Sequence, residues 1–446
     1  MLTRITFVAA IAAVLLGTPA FAASQKTWDE CAEKGIDPDR KIAACTLILG
    51  GIESPRDHAR ALSHRCGAFR AKREFDKALH DCDEAIKLAP QFAPAHFSRG
   101  YLHYDRKDYD RAIADYDEAV RLDPNLSATY NNRGLAYRAK GDIDRALADY
   151  DEAIRLDPKD ALPRNNRGYV YYDKKDYDRA IIEFNEAMRI DPNLPLPYNN
   201  RGLVYRSKGD LDSALADYNE AIRLDPSDAR PYYNRGSVYR AKGALDRALL
   251  DYNEAIRLDP QDPDARNNRG LVYYGQGDYG QAIADFSEAV RLDPNSSTAY
   301  LNRGIAYYAQ KDYDRAIAEY SEAIRLEPNS ALAYNNRGDA YDDKKDHDRA
   351  IADYNEAIRL DPGNARPYYD RGVAHRAKGE LERALADYSE AIRLNPMSSA
   401  YGNRAGVYYD RKDYERAITD YNEAIRLQPT AGRYGLRCSA RGHSRP

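Results

Sequence analysis

The stretch Ser127–Asp160 reads SATYNNRGLAYRAKGDIDRALADYDEAIRLDPKD. Two amphipathic patterns run through it. Tyr130, Arg133, Gly134 and Tyr137 recur at three- and four-residue spacing, as one stripe of a first helix; Ala146, Tyr150, Ala153 and Ile154 make the stripe of a second. Between them, Lys140-Gly141-Asp142 supplies a stop and a start. Glycine accepts left-handed backbone, and an aspartate can accept hydrogen bonds from the free N–H groups of a first helical turn. Asp157-Pro158 ends the second helix, because proline cannot continue it and restrains the residue before it. Gly134, Ala146 and Ala153 are small where the two helices must approach closely.

This pattern recurs every 34 residues from Ala59 to about Ala431, as eleven units in a chain of 446. A fixed period of that length implies a solenoid, in which each unit touches only its neighbours. A glycine column runs Gly100, Gly134, Gly168 and onward to Gly372, and a proline column runs from Pro90 to Pro396 and Pro429. With Tyr130, Gly134, Tyr137, Ala146, Tyr150, Ala153 and Pro158 in register, the pattern resembles the tetratricopeptide repeat over more than four-fifths of the chain. The resemblance implies an all-α fold: a right-handed superhelical solenoid of about eleven antiparallel helix pairs with a concave inner face. Two units depart from the pattern. Cys66 takes the glycine slot in the first, and Ala405 takes it in the last, after a connection one residue shorter.

The ends differ in kind. In residues 1–22, Arg4 precedes the apolar run Ile5–Leu16, and Ala20-Phe21-Ala22 has the small-x-small form of a cleavage site. This reads as a secretory signal peptide with Ala23 as the first mature residue, so a periplasmic or secreted protein is expected. Residues 23–58 are expected to form a helical cap, and residues 432–446 a basic tail without an amphipathic pattern to cover the final repeat. An uncovered apolar end would be open to self-association. An oxidising compartment favours disulfides. Cys31 with Cys45 is the first expected pair and Cys66 with Cys82 the second, among the three pairings that four cysteines allow; Cys438 stands in the tail.

Net charge is only −4, with no basic stripe, which excludes a nucleic-acid binder that works by displacing counterions. Tyrosine outnumbers phenylalanine 38 to 8, as suits a thin two-layer structure where a ring is buried while its hydroxyl reaches water.

Several columns can carry function. Arg133 heads a column that is Arg in every repeat, and the Asp149 column is acidic in every repeat, which predicts a repeated structural ion pair between facing helices. Asn132, Asn166, Asn200, Asn234, Asn268, Asn302 and Asn336 form a further column. By the resemblance these amides would line the inner face, where donor and acceptor together can hold an extended peptide backbone; the alternative is that they bridge neighbouring helices.

The column of Arg138, Tyr172, Arg206, Arg240, Tyr274 and Tyr308 varies, with Asp342 also in it, and is where specificity could be written. The expected partner is a protein or an extended peptide with acidic or aromatic side chains; a polysaccharide stacking on the Tyr rings is the rival.

Arg145, Glu152 and Arg155 read as surface ion pairs along one helix. His96 and His103 lack the paired spacing of a zinc motif, and both fill slots that hold Tyr elsewhere. No phosphate-cradling loop, nucleophile triad or acid pair stands out. The expectation is a scaffold that is not an enzyme, with no cofactor and no metal.

Overall fold

The computed structural model describes residues 22–33 and 35–428. Among them lie 24 helices, from Gln25–Ala32 to Tyr414–Leu427, and no strand. The chain divides into two compact units, one ending at Leu224 and one beginning at Asp225. The first holds an N-terminal helix pair and five repeats, and the second holds six repeats. Each repeat is two antiparallel helices of nearly constant length, as in Ser127–Ala139 and Ile143–Leu156. Proposed boundaries at residues 1–22 and 432–446, and Cys438, fall outside the described residues, Ala22 excepted. No described helix is long and apolar enough to cross a membrane.

The pairs close for the reasons the sequence supplies. A Cβ on Gly134 would stand 2.7 Å from Tyr150 Cε1 and 3.2 Å from the Ala146 carbonyl, so only glycine lets the fully buried ring lie across the helix. The turn after the first helix needs one left-handed residue. Gly141 supplies it with φ +81°, and the Asp142 carboxylate then accepts from the Arg145 N–H at 3.2 Å. Six repeats place Arg73, Lys107, Lys175, Lys311, Lys345 or Lys412 in that conformation instead.

Both departures are visible in the structure. Cys66 and Cys82 occupy the slots of Gly134 and Tyr150, and their sulfurs are bonded at 2.12 Å, so a covalent link stands where a ring lies on glycine elsewhere. In the last repeat Ala405 fills the glycine slot and is wholly buried. The N-terminal pair, Gln25–Ala32 and Pro38–Leu49, is joined by Cys31–Cys45 at 2.08 Å, and these cysteines pack with Ala44, Ile48 and Ala61.

Candidate functional site

Each repeat contributes to one continuous set of polar contacts within its unit. Arg133, near the middle of a first helix, donates from Nε to Asp149 Oδ2 at 2.9 Å and from Nη2 to Asp149 Oδ1 at 2.7 Å. The same guanidinium–acid pairing recurs in all eleven repeats, with Glu183 and Glu319 replacing Asp in two. Its third nitrogen reaches back one repeat: Arg133 Nη1 meets Asp117 at 2.7 Å, and Arg371 Nη1 meets Asn355 at 2.5 Å. The side chains are mostly buried, 17% exposed at Arg133 and 8% at Asp149. Burial pushes the Asp149 carboxyl up in spite of the Arg133 hydrogen bonds. At Asp115 burial acts the same way, but hydrogen bonds from His96 and Arg99 outweigh it and hold the carboxyl below its ordinary range. This column is structural, as its fixed composition predicts.

The Asn132 column turns toward the preceding repeat. Asn166 Nδ2 donates to Asn131 Oδ1, Asn200 to Asn165 and Asn302 to Asn267, each at 2.9 Å. Asn268 donates to the Tyr233 hydroxyl at 3.1 Å and Asn132 to the Ala128 carbonyl at 2.8 Å, while Asn234 and Asn336 are buried. Asn166, Asn200, Asn268 and Asn302 therefore bridge to the preceding first helix, as in the bridging alternative, while Asn132 bonds within its own helix. The neighbouring column of Asn131, Asn165, Asn199, Asn267 and Asn335 supplies most of the acceptors and was not singled out; the Asn-Asn doublet in the quoted stretch is the signal that carries it.

The Arg138 column stands half-exposed on the same helices. Arg138 lies 4.1 Å from the centre of the Tyr169 ring and donates to Asp173 Oδ2 at 3.2 Å. Arg70 repeats this with Tyr101 at 3.6 Å and Asp105 at 2.9 Å. The Tyr308 hydroxyl donates to Asp343 at 2.6 Å, and the Tyr172 hydroxyl is 3.4 Å from Ser207 Oγ. Arg206 is half-buried and Arg240 exposed.

A correlation across the turn accompanies this column. Wherever it holds Tyr, the residue five positions on is also Tyr: Tyr172 meets Tyr177 at 6.2 Å, Tyr274 meets Tyr279 and Tyr308 meets Tyr313 at 5.4 Å between ring centres. Where it holds Arg, the position is apolar, as with Ile143, Leu211, Leu245 and Leu381. Asp342 meets His347, whose Nδ1 lies 2.6 Å from its carboxylate.

The remaining candidates are structural. His96 Nε2 lies 3.0 Å from the Pro90 carbonyl, and His103 lies 3.8 Å from Asp115. No group of metal-ligating side chains is assembled among the described residues. Arg145 and Arg155 pair with Asp142 and Glu152 at and along one helix, the guanidiniums largely in solvent and the acids half-buried.

Solved structures with similar backbones include YrrB, a TPR protein with an unusual peptide-binding site, at 26% identity over 44% of this chain and 97% of its own, with a TM-score of 0.37. A tetratricopeptide repeat protein from Parabacteroides merdae matches at 26% identity over 58% of this chain and 99% of its own, TM-score 0.43. Yeast Tom70 matches at 17% identity over 86% and 96%, TM-score 0.42. No significant match was found among curated protein sequences. Two profiles, described as TPR repeat and Tetratricopeptide repeat, match five overlapping segments across residues 100–277, then residues 267–331, 312–365 and 369–432. Matched over most of residues 100–432, the chain belongs to the tetratricopeptide repeat family.

Proposed function

We propose that this chain is a non-catalytic scaffold that docks partner proteins, or extended segments of them, on the face of its first helices marked by Arg138 and its counterparts. The carrying observation is a contrast between columns. The Arg133 and Asn132 columns are nearly uniform and their polar groups are engaged within the protein, whereas the Arg138 column changes from repeat to repeat and stays accessible, 28% exposed at Arg138 and 35% at Arg376. Arg and Tyr are the residues that most often dominate binding energy at interfaces. Stacking on Tyr169 and the bond to Asp173 hold Arg138 in place before a partner arrives, which lowers the ordering cost of binding. An acidic side chain of the partner can take over the role of Asp173. The Asn132 column frames this surface by fixing the spacing of successive first helices.

Cross-linking and pull-down from the native envelope, with an Arg138→Ala/Arg206→Ala/Arg240→Ala variant as control, tests the reading. Partners captured by the wild type should be lost from the variant; unchanged capture by a variant that melts normally removes it. Peptide arrays run beside glycan arrays separate a protein partner from a polysaccharide stacked on Tyr172, Tyr274 and Tyr308. We further propose export, supported by the pattern of residues 1–22 and by two cystine links. N-terminal sequencing of the native protein should begin at Ala23.

A second reading, self-association, has its own observation. The last helix exposes Tyr414, Ile418, Tyr421 and Ile425 by 53, 61, 38 and 48%. In interior repeats that surface is covered by the next first helix, so a helix of the same repeat type from a second copy fits it. Light scattering over a concentration series checks this, and a strict monomer at high concentration removes it.

A further inference from the structure

The ninth and tenth repeats break the pattern of the first-helix face at one place. After the glycine, where other repeats carry Leu135, Leu271 or Ile305, helix Ala331–Asp343 carries Asp339. In the next first helix, Ala365–Ala377, Asp370 stands in the Asn132 column. Their side chains are 15 and 18% exposed and share one guanidinium, which is itself 59% exposed. Arg366 Nη2 donates to Asp339 Oδ2 at 2.8 Å and its Nε to Asp370 Oδ2 at 3.4 Å; the Tyr354 hydroxyl donates to Asp339 Oδ1 at 3.0 Å. Two mostly buried carboxylates face one cation. A buried charge without a counter-charge is costly, so once both carboxyls are ionised this cluster is one positive charge short.

Asn335 makes the second, independent observation. It is 3% exposed, and its Nδ2 lies among the carboxylates, 3.3 Å from Asp370 Oδ2 and 3.5 Å from Asp339 Oδ2. Its Oδ1 is buried with no donor. The equivalent oxygen of Asn165 accepts from Asn200 Nδ2 at 2.9 Å; a carboxylate at position 370 has no N–H to offer. A missing donor and a missing positive charge therefore coincide. An ammonium or guanidinium group carries a positive charge and N–H donors together, so an organic cation supplies both.

We propose that Asp339, Asp370 and Asn335 receive a lysine or arginine side chain of a docked partner, entering beside Arg366 between helices Ala331–Asp343 and Ala365–Ala377. The N–H groups of such a side chain serve Asn335 Oδ1 and the carboxylates together. Asp342, on the same helix and 22% exposed, adds negative potential at the approach. This rests on the reading that partners dock on the first-helix face, and it gives the second unit a preference for basic segments, while Arg70 and Arg138 in the first unit suit acidic ones.

The test is calorimetric titration of the full chain with capped Gly-Lys, Gly-Glu and Gly-Ser repeat peptides. The variants are Asp370→Asn, which restores the Asn165–Asn200 type of bridge, and Asp339→Leu, which restores the aliphatic column; both keep a packing solution already present in the molecule. The wild type should bind the Gly-Lys peptide, and each variant should bind it about tenfold more weakly with a normal melt, the Gly-Glu peptide being unaffected. Equal Gly-Lys affinity in wild type and variants, or no Gly-Lys binding by the wild type, overturns the proposal. If native partners are nonetheless captured and lost on Arg138 substitution, the scaffold reading survives that failure; if Gly-Lys binds at Asp370 while no native partner is captured, the scaffold reading alone falls.

Discussion

Arg133 grips Asp149 of its own repeat with two hydrogen bonds and extends its remaining nitrogen to Asp117 of the repeat before, at 2.7 Å. One side chain thus joins three helices. The planar fork of the guanidinium allows this, and a lysine could not reproduce it.

Removing one partner leaves the other stranded. Arg133→Leu should cost about 3 kcal/mol, because the Asp149 carboxylate would stay buried without a counter-charge. The double variant Arg133→Leu/Asp149→Leu should recover most of that loss, since no buried charge remains. Urea titration of the single and double variants measures the coupling, and purely additive effects would show that the pair is not one.

Helix contact at the glycine column predicts opposite signs for the same substitution. Gly134→Ala drives a Cβ into the Tyr150 ring and should destabilise by about 1–3 kcal/mol. Gly67, inside a helix with no atom near its would-be Cβ, should gain up to about 1 kcal/mol from Gly67→Ala. Thermal melts of the two variants suffice.

The Cys66–Cys82 link closes a short loop, and its reduction should cost about 3 kcal/mol. Cys66→Gly/Cys82→Tyr rebuilds the ring-on-glycine contact of the other repeats. That variant should melt above Cys66→Ser/Cys82→Ser and lose less on reduction than the wild type, its remaining sensitivity being that of Cys31–Cys45.

The second unit should lose stability as pH rises. Burial, and then Asp370, push the Asp339 carboxyl up to about 7 from an ordinary value of 3.8. Between those values the folded state holds a proton that the unfolded chain has released, so stability is greatest below the lower value, falls through the interval and levels off above the upper one. Asp339→Asn should flatten this slope. Denaturant titrations at pH 5 and pH 8 compare the two proteins; an unchanged slope would assign the dependence to other groups.

The helix pairs were legible because their causes are local: Gly134 against Tyr150, Asp142 at the helix start and Pro158 after its end are each written within one period. The Arg133–Asp149 pair was legible for the same reason, two invariant columns of opposite charge. The role of the Asn132 amides was not. Whether Asn166 faces a ligand or Asn131 depends on how one repeat sits on the next, which no single period encodes. The Tyr172–Tyr177 pairing lay within reach, because it appears when repeats are compared with one another rather than with their average.

Two covalent staples secure the beginning of the chain, at Cys31–Cys45 and Cys66–Cys82, while the helix Tyr414–Leu427 has nothing described against its outer side. Wear is therefore directional. Under heat, force or protease, the last hairpin should let go first and expose the rim of the one before it, so damage travels backward like a zip drawn from a single end.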